Sequence, residues 1–304
     1  MPVYKCNPAL YLINSNMNTI LILTDFTANA AHAALSGIAL SQKLHANILL
    51  FNINSSQPNV PQYAGGPTVV SDFSFWQKES REKLSQLSQA LEPLLVQPDP
   101  PYRKPVIEIE CGEGNIGIMV REVTKQNDIE MIVMGARAGS TIDHVLTGSE
   151  TISVVDHTTR PVLVVPKNAD LTILTKVIFA TDYNQADLKG IHYLVKLGKL
   201  LNFHLVIVHI NLVEDKDILK MGKEEKFLNQ VRRLKYPHIS FREINGKEVT
   251  HSLTALCDET GADLLSVMHY KNSFLKRLFK HSTTLRALDV QQIPLLIFPS
   301  ELEN

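Results

Sequence analysis

Short runs of aliphatic and β-branched residues alternate with longer amphipathic stretches along most of the chain. In the first half, the runs predict strands and the amphipathic stretches predict helices. The predicted strands cover 19–25, 46–53, 105–111, 129–134 and 161–165, and the predicted helices cover 28–43, 73–91, 115–127 and 149–157. Strands that alternate with helices are typical of a parallel sheet with right-handed crossovers and helices on both faces. The pattern therefore predicts a doubly wound α/β fold.

The second half of the chain repeats this pattern, with strands predicted near 174–181, 203–210, 238–244, 263–268 and 294–298. The segment ILILTDF at 20–26 recurs as VIFATDY at 177–183, which is 157 positions later. Three further landmarks recur at an offset of 133 or 134: Gly112 and Gly246, Met134 and Met268, and the segments PVLVVP at 161–166 and PLLIFP at 294–299. Ordered landmarks at nearly constant offsets indicate an internal duplication.

The duplication predicts two tandem domains of five strands each, at 18–167 and 172–300, after an N-terminal extension at 1–17. A length of 304 residues fits two domains, each large enough to bury its own core. The first residues of two helices also correspond: Thr27 is predicted to cap the first helix, and Asn184, with Asp187 three residues later, to cap its counterpart.

Composition excludes several classes of protein. Apolar residues make up 44% and charged residues 20%, which excludes wholesale disorder. A net charge of -1, from 30 basic and 31 acidic residues, gives no reason to expect nucleic acid as a partner. No apolar run reaches the roughly 18 residues of a membrane helix, so no membrane association is expected. The three cysteines lie far apart, which favours a reduced, cytoplasmic protein.

Ligands of open parallel sheets bind beyond the carboxyl ends of the strands, so these positions are the candidates for chemistry. The segment TDFTANA after the first strand has no glycine, which argues against a dinucleotide fingerprint or a P-loop there. Asp25 either accepts hydrogen bonds from a ribose or an adenine, or caps the turn. A literal G-x-G-x-x-G at 112–117 is weak, because the next strand does not end in the expected acidic residue.

The segment after the fourth strand carries the most information. Gly135 follows this strand, and Gly148 and Ser149 open the next helix after an intervening loop. Glycines let backbone N–H groups approach phosphate oxygens, and the N-terminus of a helix favours an anion by about 0.3–1 kcal/mol. The alternative is that these residues form only a turn and a helix cap.

These motifs resemble the universal stress protein family. The family has an Asp after the first strand (TDF here), the pattern G-x2-G-x9-G-[ST] after the fourth strand, and often PVLVV in the fifth, which stands here at 161–165. The resemblance implies Rossmann-like, adenine-nucleotide alpha-hydrolase-like domains in a cytoplasmic stress-response protein. It also implies ATP or a related adenine nucleotide as the ligand. The nucleotide-binding residues carried over are Asp25, Asn52, Gly135, Arg137, Ala138, Gly148 and Ser149.

Two departures bear on this site. Ala138 stands where the family has its second glycine, and Glu150 lies in the first turn of the helix, where its carboxylate competes with a phosphate. Arg137 and His144 compensate in part. The second domain has no glycine in the corresponding segment 268–280, so we expect a structural or regulatory role for it rather than nucleotide binding.

Three hypotheses follow, with one structural expectation. The first is a nucleotide-binding module, the second a nucleotide-free scaffold, and the third, with least support, a slow ATP hydrolase. No metal-ligand spacing and no catalytic arrangement stands out, so no metal and no catalytic residue is predicted.

The resemblance also implies that the fifth strands, 161–165 and 294–298, pair within the chain as a pseudo-dimer. Pairing would cover an apolar edge that otherwise invites aggregation. A homo-oligomer stays open.

Overall fold

A computed structural model describes residues 17–54, 73–100, 102–136, 149–212, 220–270 and 293–303. The strands are β1 (Thr19–Leu23), β2 (Asn47–Asn54), β3 (Ile107–Glu113), β4 (Ile129–Gly135), β5 (Val162–Val165), β6 (Lys176–Ala180), β7 (His204–Leu212), β8 (Ile239–Gly246), β9 (Leu264–Met268) and β10 (Leu295–Phe298). The helices are α1 (Ala28–Leu44), α2 (Phe73–Leu91), α3 (Ile116–Gln126), α4 (Ser149–His157), α5 (Asp187–Leu201), α6 (Lys220–Arg232) and α7 (Val249–Thr260), with a 3-10 turn at Glu92–Leu94.

The ten described strands form one continuous sheet in the order β3-β2-β1-β4-β5-β10-β9-β6-β7-β8. Neighbouring strands are parallel everywhere except between β5 and β10, which pair antiparallel with Leu163 opposite Leu296. The predicted doubly wound α/β fold is therefore confirmed, and the fifth strands of the two halves pair with each other. We call the part with β1–β5 half one and the part with β6–β10 half two.

The strand registers give the correspondence between the halves more accurately than the sequence does. Thr19 pairs with Asn47 in half one and Lys176 with His204 in half two, so both strands are offset by 157. For β4 and β9 the offset is 133 rather than the 134 inferred from sequence, because Ile132 pairs with Val162 and Leu265 with Leu295. The sequence match of Met134 with Met268 is therefore wrong by one position.

This corrected register changes which residues correspond at the carboxyl ends of the strands. Met268 is the counterpart of Gly135, and His269 is the counterpart of Ala136. Two backbone hydrogen bonds agree with this assignment, because Ala136 N donates to Val165 O and His269 N to Phe298 O. The register of β3 and β8 has an offset of 132, so Gly246 corresponds to Gly114 and not to Gly112.

Alternate residues of the central strands face two apolar layers. Ile20 and Ile22 of β1 belong to the layer covered by α1, α2, α5 and α6, and Leu21 and Leu23 to the layer covered by α3, α4 and α7. Burial on both faces is what a central parallel strand requires. Among the described residues, no helix combines the length and the apolar composition needed to cross a membrane.

The first turns of α1 and α5 differ. Thr27 caps α1 as predicted, because its Oγ1 accepts a hydrogen bond from Ala30 N at 3.3 Å. The prediction that Asn184 caps the counterpart helix is wrong. Helix α5 begins at Asp187 after Ala186, without a side-chain cap. The buried carboxylate of Asp187 instead accepts the backbone N–H of Asn184 at 3.3 Å.

Candidate ligand site

The turn after β1 fixes the position of Asp25. Oδ1 of Asp25 accepts hydrogen bonds from the backbone N of Thr27 at 3.0 Å and from its Oγ1 at 2.6 Å. Thr24 is buried, and its Oγ1 accepts from Phe26 N at 3.1 Å. Phe26 has a φ of 63°, a left-handed conformation that costs a non-glycine residue roughly 1–2 kcal/mol. Asp25 stabilises this turn and is nevertheless exposed to solvent.

Asn52 has a structural partner on each side of its amide. Its Nδ2 donates to Thr24 O at 2.7 Å, and its Oδ1 accepts from Ser80 Oγ at 2.7 Å. The side chain is only 6% exposed and does not line the cavity described next. Sequence reasoning assigned Asn52 to a ligand. The contacts give it the role of holding the carboxyl end of β1 to β2 and α2.

A cavity of about 530 Å³ lies at the carboxyl ends of β1, β2 and β4. It lies where the strand order reverses between β1 and β4, which is the usual ligand position in doubly wound sheets. Leu23, Phe51, Ile53, Ile116 and Met134 form its apolar wall. The polar side chains among its lining residues are Thr24, Asp25, Thr27, Asn29, Glu150 and Lys167.

Gly135 permits the close packing that shapes one wall of this cavity. A Cβ at Gly135 would lie 2.8 Å from both the backbone C and the O of Asn29, so any larger residue would displace the first turn of α1. The Nδ2 of Asn29 then donates to Ala136 O at 2.5 Å and fastens α1 to the end of β4. Sequence reasoning required a glycine here for a phosphate. The packing of α1 already requires one, and Gly135 also borders the cavity.

The other predicted residues lie after β4. Arg137, Ala138 and Gly148 fall outside the described residues. Ser149 is the first residue of α4. The next residue, Glu150, lines the cavity, as its place in the first turn of this helix had indicated.

Lys167 is the cavity residue that sequence reasoning missed. It follows β5 by two residues, is exposed, and lines the same cavity as Asp25 and Glu150. The carboxyl end of β5 lies on the same edge of the sheet as those of β1 and β4. Examining the residues after all five strands, and not only after the first four, would have found it. Lys167 supplies a cation to a cavity that otherwise holds two carboxylates.

At the corresponding place, half two carries a buried hydrogen-bonded carboxylate. Asp187 is 1% exposed, and its Oδ2 accepts from Thr181 Oγ1 at 2.6 Å and from Asp182 N at 3.2 Å. Its Oδ1 accepts from the hydroxyl of Tyr270. Burial raises the pKa of Asp187 to about 6, against the lowering effect of the hydrogen bonds from Thr181 and Tyr270. This network joins the carboxyl ends of β6 and β9 across the crevice between them.

No metal centre is found in the part of the chain that the structure describes, and one of its cysteines is protected by burial. Within those ranges, no three His, Cys, Asp or Glu side chains come close enough to hold a metal ion. Burial raises the pKa of the Cys257 thiol to about 12, so this thiol stays protonated at neutral pH.

The fold and the cavity define a doubly wound α/β protein with a crevice at the point where the strand order reverses. Residues 17–166 match the model of the universal stress protein family. The chain belongs to that family. No curated protein sequence matches the chain.

Solved structures with the same fold span both halves. A universal stress protein from Archaeoglobus fulgidus DSM 4304 is 16% identical over 93% of this chain and 96% of its own, with a TM-score of 0.66. A Pseudomonas aeruginosa PAO1 protein described as functionally unknown is 12% identical over 97% and 95%, with a TM-score of 0.56. A universal stress protein in complex with cAMP covers 42% of this chain and 98% of its own, at 19% identity and a TM-score of 0.32. A likeness this low gives no information about a ligand of this chain.

Proposed function

We propose that this protein is a cytoplasmic stress-response protein that binds ATP or a related adenine nucleotide in the cavity of half one, with half two in a structural or regulatory role. The observation that carries the proposal is the cavity of about 530 Å³ between β1 and β4, with a carboxylate on one rim and Lys167 on another. Its volume lies within the roughly 300–1,000 Å³ of small-molecule sites.

Each part of an adenine nucleotide has a matching chemistry in this cavity. The exposed carboxylate of Asp25 accepts hydrogen bonds from ribose hydroxyls or from the adenine amino group. The apolar wall that includes Leu23 and Phe51 takes the face of the base. Lys167 supplies a positive charge for the phosphates, and the N-terminal end of α4 supplies a partial positive charge. The family glycine pattern of half one supports the same ligand.

A nucleotide-free scaffold or interaction module is the second candidate, and Glu150 is the observation that favours it. Its carboxylate lies in the cavity lining, where it repels a phosphate and takes up the positive field at the start of α4. A slow ATP hydrolase ranks below both, because hydrolysis needs a group to position water, and no described residue is arranged for that role.

Calorimetric titration of ATP into the full chain tests the proposal. We expect one equivalent to bind, and Asp25→Asn to weaken binding about tenfold or more, because it removes a charge-assisted hydrogen bond. Because asparagine keeps an Oδ1 that can accept the hydrogen bonds from Thr27, the turn is preserved, and a loss of affinity reports on the contact with the ligand. Asp182→Asn is the matched control, because it changes the equivalent residue of half two and should leave affinity unchanged.

Two outcomes would contradict the proposal. An absence of heat at millimolar ATP would eliminate nucleotide binding and favour the scaffold. Equal losses in Asp25→Asn and Asp182→Asn would mean that the turn and not the cavity carries the effect.

A further inference from the structure

Helix α4 connects the candidate ligand cavity to half two. Its second residue, Glu150, lines the cavity, and its last turn reaches the boundary with half two. Nine residues of α-helix span roughly 13 Å. A helix this short has no independent stability in water, so its position depends on its packing, in which Val154 and Val155 are buried, and on the groups that hold its two ends.

Half two holds the C-terminal end of α4 through three contacts. His269 Nε2 and Asp156 Oδ1 lie 3.0 Å apart, which is hydrogen-bonding distance. Glu303 N donates to Thr159 O at 3.0 Å, and the Glu303 carboxylate lies 3.6 Å from Arg160 Nη2. The His269 side chain is 12% exposed, whereas that of Glu303 is 61% exposed. The shielded bond of His269 therefore contributes more than the exposed ion pair.

The sheet fixes the backbone position of His269. His269 is the first residue after β9, and its backbone N donates to Phe298 O at 2.7 Å. Its counterpart in half one, Ala136, makes the equivalent bond to Val165 O at 2.8 Å and lines the cavity. The exchange of alanine for histidine at this position gives half two a side chain that reaches across the boundary to Asp156.

We propose that His269 is a positioning residue for the half-one cavity, holding Asp156 and thereby α4 and the Glu150 wall at the other end of the helix. The effect of His269 on a ligand rests on the nucleotide binding proposed above. The effect of His269 on the position of α4 does not depend on that binding. His269 determines the position of α4 only in part, because α4 also packs against α3, where Ser153 Oγ donates to Asn115 Oδ1 at 3.3 Å. Half two thus acts on the candidate site whether or not it binds a ligand itself.

Hydrogen exchange across residues 149–157 tests the helix without any ligand. We expect faster exchange in His269→Ala than in the wild-type chain, and recovery in His269→Gln, whose Nε2 amide still reaches Asp156. His251→Ala, at an exposed histidine near the start of α7, is the control and should not change this segment. Unchanged exchange in His269→Ala overturns the proposal, and so does equal loss of protection in the glutamine variant.

ATP titration of the same variants tests the effect on the cavity. We expect His269→Ala to weaken binding about two- to thirty-fold, and His269→Gln to restore it. The double variant with Asp156→Ala should bind no worse than either single variant, because both remove one interaction. Altered exchange with unaltered affinity overturns the positioning role. If wild-type protein binds no ATP, the proposed function fails, while the exchange result still decides whether His269 holds α4.

Discussion

The two halves differ most at the carboxyl ends of their strands, although corresponding strands pair with the same hydrogen-bond register in both halves. Half one has the small residues Ala30 and Ala136 there and a cavity of about 530 Å³. By the strand offsets, the counterparts in half two are Asp187 and His269. Asp187 is bonded within half two, and His269 is bonded to half one.

The features that both halves share belong to the fold and not to a ligand. Phe26 and Tyr183 both have positive φ, and each donates its backbone N–H to the preceding buried threonine. Asn52 holds Thr24 O, and His209 Nδ1 lies 2.8 Å from Thr181 O. A residue that keeps its contact in both halves is explained by packing. The ligand hypothesis therefore depends on the surroundings that differ, including the cavity beside Asp25, and these give the sharpest experiments.

The largest effect is expected from Asp187→Ala. The substitution leaves the buried hydroxyl of Thr181, and the partly buried hydroxyl of Tyr270 and two backbone N–H groups, without their acceptor. We expect the free energy of unfolding to fall by about 3–5 kcal/mol, as when a buried polar network loses one partner. Urea unfolding followed by circular dichroism measures it.

Asp25→Ala is the matched comparison in half one. Its carboxylate is exposed and its turn partners can bond to water, so we expect a loss of about 1 kcal/mol or less. Equal losses from the two substitutions would remove the contrast drawn between the halves.

The pH dependence of stability is the next largest effect. The pKa of Asp187 is raised from 3.8 to about 6 by burial, so between these values the folded chain binds more protons than the unfolded chain. Stability contributed by this group is therefore present at low pH and is lost as the pH rises to about 6.

Asp187→Asn isolates this contribution, because asparagine does not titrate. We expect the stability difference, wild type minus variant, to fall by roughly 2 kcal/mol between pH 4 and pH 7. Urea unfolding at several pH values measures it, and the other titrating groups cancel in the difference. A difference that stays constant over this range would show that Asp187 is not the group responsible.

Sequence reasoning predicted the sheet because hydrophobic periodicity and the internal duplication are local signals. Every described strand lies within a few residues of its predicted position. The pairing of β5 with β10 came from the family resemblance together with the need to cover an apolar edge. The one-residue error in matching β4 with β9 shows the limit, because hydrogen-bond register depends on the neighbouring strand and not on the strand's own residues.

The site was less predictable because its roles depend on which way a side chain points. Asp25 follows β1 and Asn52 lies near the carboxyl end of β2, yet Asn52 is buried against Thr24 and Asp25 is exposed. The carboxylate of Asp187 gathers donors from residues up to 83 positions away, so its burial has no local signal. Lys167 was missed because only the first four strand ends were considered.

The smallest effect is expected at the first turns of the two corresponding helices. Thr27→Ala removes the acceptor of Ala30 N and the donor to Asp25, so we expect the free energy of unfolding to fall by about 1 kcal/mol. Asn184→Ala should change it by less than about 0.5 kcal/mol, because α5 has no side-chain cap and the backbone N of residue 184 still bonds to Asp187.

Urea midpoints of the two variants, measured together, decide whether the helix starts differ as described. Equal losses would mean that Asn184 caps α5 after all, and that Asp187 does not replace it. A loss confined to Thr27→Ala would show that half one keeps an ordinary capped helix at its crevice. Half two instead has a buried carboxylate at the start of its helix, which accepts hydrogen bonds from the preceding turn. The exchange is consistent with the difference between the crevices, because a cap exposed at the rim leaves the crevice of half one open, whereas a buried carboxylate bonded to Tyr270 ties the two sides of the other crevice together.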